Sequence, residues 1–199
     1  MAISMYQVSV PVFLKTLANL AAILDKGAAF AATRKIDPSV LLAYRLAPDM
    51  LNLTRQVQIA ADHAKRAPAR LAGIEAPVYE DNETSFADLK ARIDKTIAFV
   101  NTLKPAQIDG SEARDITLKI GGSSQTLSGQ AYLLHNALPN FFFHVTTAYA
   151  ILRHCGVEIG KKDFIGQIQA AGIPAAAVSM PGEPALYPST MKAMVPPSA

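Results

Sequence analysis

The chain has 199 residues, half of them hydrophobic and 18% charged, with a formal net charge of +3. This is enough for one domain with a sizeable core, in a composition that suits a globular protein. The 19 Lys and Arg are scattered, with no basic stripe and no interleaved aromatics, which argues against nucleic-acid binding, and the single cysteine excludes an intrachain disulfide or a cysteine zinc cluster.

Residues 5–34 read as a long helix, because Val10, Phe13, Leu17, Leu20, Leu24 and Ala31 recur on one helical stripe. Pro11 is awkward there, since proline lacks the N–H, so Ser9 is a candidate cap or the first turns kink. Asp37-Pro38 starts a short helix to about Arg45. Pro48 begins a longer one to about Leu71, with Gly73 as its stop and Pro68 kinking or fraying its last turn. Its inward stripe is Met50, Leu53, Val57, Ala60, Ala64 and Leu71, and Arg55, Gln58, Asp62, Lys65 and Arg66 take the opposite, solvated side.

IEAPVYEDNET, residues 74–84, is a loop. Ser85 and Asp88 form a capping box for a helix to about Leu103, with Phe86, Leu89, Ile93, Ile97 and Val100 inward. The period then shortens to two: Ile116, Leu118 and Ile120 alternate with polar residues, the Gly121–Ser124 stretch turns, and Gln125–Leu127 returns as a second strand. Ser128 caps the last long helix, which runs to about Cys155 and is kinked by Pro139. The pattern is all-α: a four-helix up-and-down bundle with a small β-hairpin inserted before the last long helix. The bundle occupies residues 1–166, and residues 167–199 form a Pro/Ala-rich tail with no period of its own.

No membrane span is expected. Lys15, Asp25 and Lys26 break the early apolar runs, and the uncharged stretch 131–152 holds His135, Asn136, Pro139, Asn140 and His144. The start, MAISMYQVSV, lacks a basic stretch ahead of an apolar one, so a secretory leader is not expected and a cytoplasmic location is.

The chemistry centres on LPNFFFHVTTAYAILRHCG, residues 138–156. His144 falls on the broad apolar face of its helix, at one side, with Asn140 one turn before it. Either its ring is a core group satisfied by a tyrosine, a backbone carbonyl or a water, or it is a metal ligand. On the second long helix Asp49, Gln56 and His63 repeat every seven residues, a polar line that could meet Asn140 and His144. His135 lies opposite His144 and reads as solvated. His154 suits a helix C-terminus, where the dipole also raises the Cys155 thiol pKa. No HExxH, Walker, GxGxxG or GxSxG motif is present.

Three segments carry a family resemblance: MYQVSVPVF near the start, DMLNLTRQVQIAADHAKRAPARLAG in the second long helix, and LPNFFFHVTTAYAILRHCGVEIGKKDFIG in the last. In their order the chain resembles the DinB/YfiT-like helical bundles over roughly residues 5–166, and within them a bacterial family of no assigned function. The resemblance implies a divalent metal held by three histidines, one from the second helix and two from an HxxxH on the last. His144 matches the second histidine of that motif, Asn140 stands in place of the first, and His63 answers approximately for the second helix. The implied metal is Zn, Ni or Fe, although Asn is a poor zinc ligand, and the implied activity is thiol transfer or hydrolysis. The pocket would be lined by Gln56, His63, Asn140 and His144. The competing expectation is a metal-free, non-catalytic bundle, a homodimer that binds a small molecule or a protein partner.

Overall fold

The first helix answers the question of Pro11. In the computed structural model, which describes residues 4–167, α1 (Val10–Arg34) begins one residue before it. The proline therefore sits in the first turn, where its missing N–H has no partner to lose. Residues 5–9 form turns rather than helix, and the buried Ser9 does not cap through its side chain. Its hydroxyl instead donates to the Met5 carbonyl at 2.6 Å.

The next helices follow their capping chemistry. Asp37 accepts from the Ser39 amide at the head of α2 (Pro38–Ala43). The second long helix, α3 (Leu53–Ala72), starts five residues later than Pro48. The Asn52 side chain accepts from the Arg55 amide at 3.0 Å, and this cap wins over proline as the start signal. Asp49 and Met50 thus lie before the helix. Pro68 is buried and does not end α3, which runs on to Gly73 in the left-handed region (φ 70°). The Ser85–Asp88 capping box heads α4 (Phe86–Asn101), and the one-turn α5 (Pro105–Ile108) follows.

The hairpin pairs β1 (Asp115–Ile120) antiparallel with β2 (Ser123–Ser128), Ile116 opposite Leu127 and Ile120 opposite Ser123. Gly121 and Gly122 alone make the turn, both at positive φ, and Ser123 and Ser124 belong to the strand. The last long helix is not continuous. Ser128 caps a short α6 (Gly129–Tyr132), residues Leu133–Ala137 form a π-helical turn, and α7 (Leu138–His154) follows with Pro139 in its first turn. The regular ladder is thus interrupted by a π turn just ahead of Pro139, where a kink was expected. A short α8 (Lys161–Ile165), absent from the sequence reading, closes the described chain, with Asp163 accepting from the Gly160 amide and pairing with Lys26 at 2.7 Å.

The four long helices α1, α3, α4 and α7 form the up-and-down bundle. α3 packs on α4 and α7, and α1 completes the ring against the same two. Phe13 of α1 meets Phe141 of α7 edge to face at 4.9 Å, within a core that includes Leu17, Leu20, Val57, Ala60, Ile93 and Val145. No helix among the described residues is long and apolar enough to cross a membrane. The 167–199 tail lies outside the described residues apart from Gln167.

One expectation fails for an instructive reason. The side of α3 read as solvated is partly sealed: Gln58 is 2% exposed and Lys65 1%. The 74–84 loop and α4 cover it and bring Arg92, itself buried, onto Asp62 at 2.9 Å and Glu83 at 2.8 Å. Asp62 also accepts from Lys65 at 2.7 Å and from Arg66 at 2.7 Å. The Lys65 ammonium lies 3.8 Å from the centre of the Tyr79 ring, and burial lowers its pKa. A charged residue can be buried when it is paired in this way.

Candidate functional site

The site lies along the contact between α3 and α7. On α3, Gln56 and His63 are seven residues apart, which turns an ideal helix through about 700° and leaves them within about 20° of one line. Asp49, ahead of the Asn52 cap, is not on that line. The line extends the other way, to Arg70. On the facing chain, Tyr132, Asn136, Asn140 and His144 recur at steps of four. In a regular helix three such steps drift by about 120°. The π turn at Leu133–Ala137 adds one residue to a turn, takes back about 100° of that drift and restores a single line.

The two lines meet antiparallel. At one end Gln56 Oε1 lies 2.7 Å from His144 Nδ1. At the other, Arg70 Nη1 donates to the Tyr132 hydroxyl at 2.9 Å. Between them the His63 and His144 rings stack with centroids 5.9 Å apart and planes 19° from parallel.

The hydrogen bonds assign the free atoms. Gln56 is buried and its Nε2 donates to the Leu51 carbonyl at 3.0 Å, so its oxygen is the group facing His144. An amide oxygen only accepts, so His144 carries its proton on Nδ1 and its Nε2 lone pair is free. The Asn140 amide donates to the Asn136 carbonyl at 2.7 Å, leaving its oxygen as the group open to a ligand. His63 makes no hydrogen bond among the described residues. Burial pushes its pKa down to about 4, helped by the neighbouring His144 and by Arg66, and burial lowers His144 as well. Both imidazoles are neutral at pH 7, the state a metal ligand needs.

These atoms fit a divalent cation in kind: two neutral imidazole nitrogens and one amide oxygen. The fit is that of a modest site, since no carboxylate or thiolate joins it. Among the described residues no group of three or more His, Cys, Asp and Glu is placed to hold a metal. Gln56 fixes the tautomer of His144 rather than offering itself as a ligand.

Residues 5–165 match the protein family described as Domain of unknown function (DUF1993). The chain belongs to this family. It is also similar to the crystal structure of a DinB family member protein from Shewanella denitrificans, at 43% identity and a TM-score of 0.77, over 83% of this chain and 93% of that one. No curated protein matches. The DUF1993 chain is thus a DinB-like bundle of unknown function, as its three quoted segments suggested.

The expected pocket residues come together with one adjustment. His144 touches both Gln56 and His63, and Asn140 stands one turn below His144 on the same line. Arg70 and Tyr132 were missed. The seven-residue spacing, carried one step further, would have found Arg70, whereas Tyr132 is brought into line only by the π turn. The other histidines are elsewhere: His135 is exposed, and His154 packs on Tyr44 with ring centres 5.6 Å apart. The Cys155 thiol pKa is raised, and the cause is burial.

Proposed function

We propose that this DUF1993 bundle is a metal-dependent enzyme in which His63 and His144 hold a divalent cation, Zn, Ni or Fe, with the Asn140 oxygen beside them, and that it catalyses thiol transfer or hydrolysis. The observation that carries this reading is the 2.7 Å contact from Gln56 to His144 Nδ1, which aims the remaining ring nitrogen away from its own support. A cation there supplies a Lewis acid that lowers the pKa of a thiol or a water. The protein's part is to hold His144 in one tautomer, to keep both imidazoles neutral by burial, and to present the Asn140 oxygen.

The test is the metal content of tag-free protein by plasma mass spectrometry, with His144→Ala beside it. Near-stoichiometric metal in the wild type and its loss in the variant are expected. No metal after incubation with Zn, Ni, Fe and Mn overturns the reading.

A second reading has its own observation. Phe143, next to His144, is 56% exposed, and Leu46 and Leu51 are exposed as well. These suit a metal-free homodimer that binds a small molecule or a protein partner. A monomer by light scattering at micromolar concentration would remove the dimer from this reading.

A further inference from the structure

Arg70 ends the polar seam, and its surroundings are unlike those of the cations near it. Asp62 serves Lys65, Arg66 and Arg92, and Asp81 serves Arg55. Arg70 is exposed and has no carboxylate partner among the described residues. It is nevertheless held: Nη1 donates to the buried Tyr132 hydroxyl at 2.9 Å, and the guanidinium carbon lies 5.6 Å from the centre of the same ring. That contact uses one of five donors, and the rest remain for a planar anion.

Four other groups along the seam are neutral. Gln56, Asn136, Asn140 and Tyr132 carry no charge, and Asp62, the acid that acts on His63, is committed to Lys65, Arg66 and Arg92. Arg114 adds a second cation at the Arg70 end, its guanidinium lying against Gly73, so this end of the seam is positive. His63 lies two helical turns away on α3, so about 10 Å of helix separates it from Arg70. A long helical side chain leans toward the helix N-terminus, which on α3 is toward His63.

We propose that Arg70, positioned by Tyr132, is the anion anchor of this seam, and that its ligand is a small organic acid whose carboxylate pairs with Arg70 while its other end reaches His63 and His144. This deepens the site described above and rests on that reading only for the location of the site, not for the metal. It makes Arg70 a specificity-determining residue and Tyr132 its positioning residue. The exposed Phe143 ring, 5.3 Å from His144, offers an apolar contact at the histidine end.

The probe is phenylbutyrate against its neutral amide, titrated into the full, metal-free chain and followed through the imidazole resonances of His63 and His144. The acid should bind about tenfold more tightly than the amide, as expected for a charge-assisted pair. Arg70→Gln should erase that preference and Arg70→Lys should keep part of it, because lysine retains the charge without the planar fork. Tyr132→Phe, which keeps the arginine but frees it, should reduce the preference to a few-fold. If Arg70→Gln does not fold, the Arg70→Lys and Tyr132→Phe pair carries the test.

Equal affinity for acid and amide overturns the proposal, and so does a failure of both to bind. An acid preference that survives Arg70→Gln, or that leaves the histidine resonances unmoved, places the anion elsewhere and also overturns it. The metal reading fails separately: protein purified without metal whose chain shows the preference keeps the anchor and loses the cation, and protein purified with metal whose metal-free chain lacks the preference does the reverse.

Discussion

Acidifying the protein should unfold it through His63 before it does so through its carboxylates. His63 falls from the ordinary 6.5 to about 4 in the folded state, with burial as the main cause. The unfolded chain therefore takes up this proton more readily than the folded one. Stability is complete above the unfolded value and is lost as pH falls from about 6.5 to about 4, below which His63 adds no further loss. A difference of 6.5 − 4, about 2.5 units at 1.36 kcal/mol each, sets the total at about 3 kcal/mol, most of it gone by about pH 4.5. His144 is lowered in the same direction and adds to the slope. Asp81, Asp88 and Asp163 are held below their ordinary 3.8, so their losses fall at lower pH. The assay is urea denaturation of wild type and His63→Gln in metal-free buffer at about pH 7.5 and about pH 4.5. The wild type should lose about 2–3 kcal/mol more than the variant across that interval. Parallel losses in the two proteins would refute the reasoning, since they would mean that His63 titrates alike in both states.

Other outcomes follow from the packing. Asp62→Asn removes the carboxylate that Lys65, Arg66 and Arg92 share, leaving two buried cations short of a partner. A loss of about 3 kcal/mol in urea denaturation is expected. Gly129→Ala sets a methyl group against the Ser111 carbonyl oxygen, a backbone atom that cannot swing away. A lowered melting temperature, equivalent to about 1–3 kcal/mol, should result. Cys155, its thiol pKa raised by burial, should react with a disulfide reagent at pH 8 more slowly than free glutathione does. A faster reaction would mean that the thiol is open to solvent.

How much of this was readable in advance depended on the range of the signal. The bundle was legible, because Phe13, Leu17 and Leu20, or Leu89 and Ile93, each mark a stripe by local spacing. Caps were legible where acceptor and amide are three residues apart, as at Ser85 and Asp88. They misled where two signals competed, so that Asn52 displaced Pro48 as the start of α3. The burial of Lys65 was not legible, since it depends on Arg92, 27 positions on, and on a loop with no period. At the site, spacing along two helices marked Gln56 and His63 on one line and Asn140 and His144 on another, and the resemblance added the expectation of a metal between them. Tyr132 was hidden because a π turn leaves no mark in residue spacing until it is seen.

That π turn makes the seam sensitive to chain length rather than to residue identity. Residues Leu133–Ala137 hold one more residue than a regular turn would need. Deleting any one of them would let the helix run evenly and swing Tyr132 about 100° away from Arg70. Such a deletion would act as a loss of Tyr132 with Tyr132 still present. Among relatives of this chain, a one-residue gap between the hairpin and Pro139 would then mark a member with a different anchor.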